Sequence, residues 1–233
     1  SFDPADTGDA KAIVSRHGYV VTAAELLNDG DITQAIPWAY NKAFLHQSEI
    51  LRYDADGMGS PVMKLTFNAY AQSNLKIVPY YGSGEIENPE RRYGEVDGVQ
   101  DFAMKKNKDT FLNFRAQAAT WLRDRFEQSF IVRKQIESGG VVMNIDFDRI
   151  ISLDSNCENF FELVAELSRQ KRIYTDNGKI KVESKKAMKA RSVESPNLFD
   201  ACKMAFATKM PRPRRVNQGR TRTIRARDRG LGL

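Results

Sequence analysis

The chain has 233 residues, 41% hydrophobic and 28% charged, with a formal net charge of +6. That length and composition suit a folded α/β domain with a full core. Its apolar runs fall far short of the roughly 20 residues that cross a bilayer, which excludes a transmembrane helix. Cys157 and Cys202 are the only cysteines, too few for a disulfide framework or a zinc site, and their apolar, helix-like settings read as buried thiols.

The N-terminus, Ser1-Phe2-Asp3-Pro4, is no signal peptide; it opens without Met at what reads as a strand end, as expected of a domain taken from a longer chain. Asp3 to Asp9 is an acidic turn. Lys11–Val14 and Tyr19–Thr22 are two strand runs joined by Arg16-His17-Gly18, a hairpin that leaves His17 in an exposed turn. A helix follows from Asp31, its candidate cap, to about Gln47, with Pro37 tolerable only in its first turns. Glu49–Tyr53 reads as a strand, Pro61 to about Ser73 as a helix capped by Ser60, and Leu75–Pro79 as a second strand. That order indicates a parallel βαβ unit, whose ligand sites lie at the carboxyl ends of strands, where Asp54 falls.

Residues 82–107 are glycine-rich, charged and aperiodic, a long loop. Asp109 to about Ser138 is a long amphipathic helix ended by Gly139-Gly140, and 141–153 fits either a hairpin or an extended link. Cys157–Gln170 is a helix, and Arg172–Val182, centred on Asp176-Asn177-Gly178, is a hairpin. The last element is the one the others serve. Ser195 reads as N-cap and Pro196 as the first helical residue; Leu198, Phe199, Cys202, Ala205 and Phe206 fall mostly on one apolar face, with Asp200 beside it.

A carboxylate at the edge of a buried face needs hydrogen bonds, a cation or a metal to offset its desolvation. Asp3 and Asp54 stand in comparable settings, each at the end of a strand-like run, and the three are expected to converge on a metal site. Each alone also reads as a turn residue or a helix cap. Asp6, Asp9 and Asp56 read as turn and supporting residues. The run from Asp54-Ala55-Asp56-Gly57 lacks the third acid and the closing glutamate of a calcium loop. The chain has no phosphate-binding G-x-x-x-x-G-K-[ST], and His17 and His46 support no Ser/His/Asp arrangement. Hard-cation chemistry remains: Mg²⁺ or Mn²⁺ on carboxylates, a pair of ions flanking a phosphodiester.

The positive charge is concentrated in one place. Lys209–Leu233 carries nine Lys or Arg against Asp228, while the preceding residues sum to −2. We therefore divide the chain into a folded body, 1–208, and a basic tail, 209–233. The tail, with Arg212, Arg214 and Arg215, suits a disordered phosphate-binding arm or a solvated linker.

The motifs together resemble the nuclease domain of tailed-phage large terminase subunits. Asp3-Pro4-Ala5-Asp6-Thr7-Gly8-Asp9 followed by Lys11-Ala12-Ile13 is similar to the family's first acidic motif, and Tyr53-Asp54-Ala55-Asp56-Gly57-Met58-Gly59 to the second. Phe111-x-Asn113-x-Arg115-Ala116-Gln117 resembles its long helix. The most specific piece runs from Gly178 through Lys185-Lys186 and Met188-Lys189 to Ser195-Pro196-x-x-x-Asp200-Ala201. The resemblance implies a ribonuclease H-like fold: a mixed central sheet flanked by helices, with an accessory β-hairpin.

It also implies a two-metal site of Mg²⁺ or Mn²⁺. Asp3 would be the bridging ligand, Asp54 the ligand after the neighbouring strand, where relatives can carry Glu, and Asp200 the ligand on the C-terminal helix. Lys185 and Lys186 would lie near the active face, as phosphate contacts or as surface charge. The implied activity is endonucleolytic cutting of concatemeric double-stranded DNA, with little sequence specificity, during viral genome packaging. The implied partners are DNA, an N-terminal ATPase domain of the same chain, the small terminase subunit and the portal protein, with no membrane. The implied location is the host cytoplasm, transiently at the procapsid portal. A junction resolvase or integrase of the same fold, or a non-catalytic DNA- or portal-docking module, are the alternatives.

Overall fold

The computed structural model describes residues 1–4, 9–56, 75–94, 103–140 and 145–207. The expected helix 61–73 with its Ser60 cap, Asp6, and the basic tail with Arg212, Arg214 and Arg215 lie outside these residues. Among them, six strands form one mixed sheet in the order β5-β4-β1-β2-β3-β6. These are β1 (Phe2–Asp3), β2 (Lys11–His17), β3 (Val20–Leu27), β4 (Ile50–Asp54), β5 (Lys76–Tyr80) and β6 (Ser152–Leu153). β1 pairs antiparallel with β2 and parallel with β4, and β4 pairs parallel with β5, as the βαβ reading requires. This mixed, helix-flanked sheet is the ribonuclease H-like arrangement expected.

The strand period of two sorts side chains between two cores. On one face Phe2, Ile13, Leu51 and Tyr53 pack against Ala35, Ile36 and Ala39 of α1 (Ile32–Leu45). Asp31 caps α1 as expected, accepting from the backbone N–H groups of Thr33 at 2.8 Å and Gln34 at 3.2 Å. Pro37 lies within it. On the other face Ala12, Val14 and Val21 pack against Leu122, Leu163, Leu198 and Cys202. Those residues come from α3 (Phe114–Glu137), α4 (Phe160–Arg169) and α6 (Asn197–Ala205). Each fully buried large side chain contributes about 1.5–3 kcal/mol. Both cysteines are buried free thiols.

Several sequence expectations are corrected. The long helix from Asp109 is two elements, α2 (Asn107–Thr110) and α3, because Phe111 is extended and bridges to Ile180. Leu112 N–H donates to the Ile180 carbonyl at 2.9 Å, and Asn113 restarts the helix by accepting from Ala116 N–H. The hairpin is β7 (Arg172–Tyr174) with β8 (Ile180–Val182), and Gly178 supplies the positive φ of its turn. In 145–153 the chain forms a 3₁₀ turn at Phe147–Arg149 and then β6, so neither a hairpin nor a plain link describes it. Ser195 does not cap α6. Pro196 takes that position with non-helical ψ, and Ser195 Oγ is buried without a hydrogen-bond partner among the described residues.

Candidate metal centre

Phe2 lies opposite Tyr53 in the parallel pairing of β1 and β4, so Asp3 and Asp54 follow side by side at the carboxyl ends of adjacent strands, with backbones about 4.8 Å apart. Phe2 and Tyr53 belong to the α1 core, and alternation turns both aspartates to the opposite face. That face carries α6, which packs on β1, β2 and β4 and brings Asp200 to the same place. There the Asp200 charge, and more weakly that of Asp54, acts on Asp3. Residues far apart in the sequence thus share one end of the sheet.

α6 is fixed at both ends. Glu166 on α4 accepts from Phe199 N–H at 2.8 Å at its N-terminus. At its C-terminus Arg52 donates to the Met204 carbonyl at 3.0 Å and Arg16 to the Ala205 carbonyl at 2.6 Å. An acid at the first turn and cations at the last both complement the helix dipole. The helix expected to show one apolar face is buried on every side, Asn197, Asp200 and Lys203 included. Sheet, α3 and α4 enclose it.

The three carboxylates differ. Asp3 is 6% exposed, its Oδ2 has no hydrogen-bond partner among the described residues, and burial followed by the Asp200 charge raises its pKa to about 7. Burial also raises Asp54, offset only in part by the Asp56 N–H bonded to its Oδ1 at 2.9 Å and by the Lys203 and Arg115 charges. For Asp200, burial would raise the pKa. The Lys203 charge and hydrogen bond, then Arg115 and Lys185, outweigh it and hold the group low. Of the three, Asp200 is the one held below the usual carboxylate range.

Sequence reasoning placed Lys185 near this face but gave no site role to two further cations, Lys203 and Arg115. Lys203, one turn beyond Asp200, has a wholly buried side chain. Its Nζ donates to Asp200 Oδ1 and sits 5.5 Å from the Phe199 ring centroid and 5.8 Å from that of Tyr80. A lysine is almost never fully buried unless paired, and here its partner is the candidate ligand. Arg115, in the first turn of α3, stands 3.8 Å from Asp54 and 3.7 Å from Asp56. Asp56 in turn accepts from Ser83 N–H and Ser83 Oγ, both at 2.7 Å, and ties down the segment after β5. Gly82 lets that segment approach: a Cβ there would lie 3.1 Å from Arg115, Asp56 and Tyr80 alike.

Lys185, at the start of α5 (Lys185–Ala190), acts on both Asp3 and Asp200, whereas its neighbour Lys186 is exposed. His46 contacts Glu25 at 2.6 Å, away from the acids, and His17 ends β2 exposed. Lys203 had one signal in the sequence: a lysine three residues after an acid in an otherwise apolar helix.

The donor set is carboxylate only, which selects hard cations over zinc or copper. Asp3, whose Oδ2 has no partner among the described residues and whose pKa is raised to about 7, is the group that a cation would satisfy. Among the described residues no three acids, histidines or cysteines already form a shared ligand set, and Lys203 occupies Asp200.

No protein-family model and no curated protein sequence matches the chain. Solved structures do. The nuclease domain of the large terminase subunit gp2 of bacterial virus Sf6 aligns at TM-score 0.73 and 28% identity, over 88% of this chain and 85% of that one. A mutant of that domain with manganese and β-thujaplicinol aligns at TM-score 0.72 and 30% identity, over 88% and 85%. A mutant with calcium aligns at TM-score 0.74 and 28% identity, over 88% and 86%.

Proposed function

Because the chain belongs to the nuclease-domain family of phage large terminase subunits, we propose that it cuts double-stranded DNA endonucleolytically at Asp3, Asp54 and Asp200, with little sequence preference. The observation that carries this reading is the parallel register that sets Asp3 beside Asp54 on the face where α6 presents Asp200. The relatives solved with manganese and with calcium support divalent cations as the partners of these carboxylates.

Asp3, sharing the face with both other acids, would hold the cations together with Asp54 and Asp200. When bound, Mg²⁺ or Mn²⁺ ions supply Lewis-acid stabilisation of the phosphodiester charge and make water more acidic. The chain itself does the positioning. Strand ends and a helix clamped at both ends hold the acids on rigid elements. Arg115 and Lys185 place positive charge beside them, where a phosphate brings negative charge. The reaction is hydrolysis: water adds to phosphorus, and the ester oxygen leaves with a proton.

In packaging, such a cut would free a filled length of DNA from a concatemer, beside an ATPase domain, a small terminase subunit and a portal in the host cytoplasm. Incubating supercoiled plasmid with Mn²⁺ tests the assignment. Asp3→Ala and Asp200→Ala should each lower cutting more than about 100-fold, beyond what loss of a supporting partner costs. Undiminished cutting by either would remove that residue from the centre, and preference for branched over linear duplex would point to resolvase chemistry.

A further inference from the structure

A cavity of about 370 Å³ lies between α3, α4 and the β7–β8 hairpin. Its walls are apolar, from Leu122, Phe126, Leu153, Val164, Leu167 and Phe199. A volume near the lower end of ligand-site sizes, about 300–1,000 Å³, holds a pair of large apolar side chains. Its rim is basic: Arg123, Lys171, Arg172 and Lys181 all line it and all are exposed. Gln170 also lines it, and its Oε1 is buried with no hydrogen-bond donor among the described residues.

We infer that this cavity is the docking site for an acidic amphipathic segment of a partner protein, one that inserts bulky apolar residues between flanking carboxylates. Each part of the site answers one part of that ligand. The apolar walls take the anchors, the four cations take the acids, and the Gln170 carbonyl accepts a backbone N–H. Other occupants fit less well. The chain's own sequence from Lys209 to Leu233, nine Lys or Arg against one acid, carries the wrong sign. Duplex DNA matches the rim but has no apolar group to fill the walls. The site also adjoins the metal centre: Phe199 precedes Asp200 and packs against Lys203.

The test uses the whole chain and two probes. One is 8-anilinonaphthalene-1-sulfonate, an aromatic anion; the other is a fluorescein-labelled peptide, EDELLWELLE, with a control in which lysine replaces every glutamate and aspartate. The dye should brighten at one site and be displaced by the acidic peptide but not by the control. Ser168→Trp, which fills the cavity from its exposed edge, and the double variant Lys171→Glu/Arg172→Glu should each weaken peptide binding at least about tenfold while melting as the parent does. The proposal is overturned if the dye or the acidic peptide fails to bind, if the control binds equally, or if neither variant changes binding. It is overturned too if Lys171→Glu/Arg172→Glu weakens duplex DNA binding while Ser168→Trp leaves the peptide affinity unchanged, which would make the rim a nucleic-acid surface.

Discussion

Replacing Lys203 with methionine keeps most of the side-chain volume and removes the cation bonded to Asp200. In the parent, burial is the largest influence on Asp200, and the Lys203 charge and hydrogen bond are what overcome it. Without them a buried carboxylate is opposed only by the more distant Arg115 and Lys185. Breaking a buried pair from one side costs about 3–5 kcal/mol. At about 2–4 °C per kcal/mol for a domain of this size, the melting temperature should fall by about 6–20 °C at neutral pH without metal. The same change should strengthen divalent-ion binding. A cation reaching Asp200 in the parent must displace a charge-assisted hydrogen bond of about 1.5–3 kcal/mol; in the variant it need not, so Mn²⁺ should bind about 10–100-fold more tightly. Calorimetric titration with Mn²⁺, beside thermal melts with and without the ion, reads both effects. A folded variant with unchanged or weaker Mn²⁺ affinity, or with the parent's melting temperature, would refute the role given to Lys203.

Two pH dependences follow. Burial, the largest influence, raises Glu166 from its ordinary 4.5 to about 7. The folded chain therefore binds more protons there than the unfolded chain, and stability should fall as pH rises from about 4.5 to 7, by at most about 3 kcal/mol. Glu166→Gln, which keeps an acceptor for Phe199 N–H, should flatten that slope in denaturant melts; an unchanged slope would contradict the assignment. Asp3, raised to about 7, must lose its proton to take a cation. Mn²⁺ affinity should climb about tenfold per pH unit below 7 and level off above it, with about one proton released per binding event. Titrations in buffers of different ionisation enthalpy check this, and a pH-independent affinity would exclude Asp3 as a ligand.

The acids were legible because each breaks a local pattern: Asp3 and Asp54 end apolar strand runs, and Asp200 interrupts an apolar helix. Their convergence was expected, but the register that produces it was not legible, since it depends on the pairing of Phe2 with Tyr53 across residues widely separated in sequence. Caps carried by local hydrogen bonds, such as Asp31, could be read from the sequence. Ser195 misled for the opposite reason, because tertiary packing buries it and moves the helix start past Pro196. The break between α2 and α3 likewise comes from a bond to a distant strand, Leu112 to Ile180. Lys203 looks like an ordinary surface residue until the enclosure of α6 on all sides is known, and helical periodicity alone assigns only one buried face.

The most direct test is a crystal of the chain soaked in Mn²⁺ and measured at the manganese absorption edge. The account predicts anomalous peaks within about 2–2.5 Å of carboxylate oxygens of Asp3, Asp54 and Asp200, with the Lys203 ammonium withdrawn from Asp200. Manganese bound elsewhere, with these three side chains bare and Lys203 still paired, would contradict it.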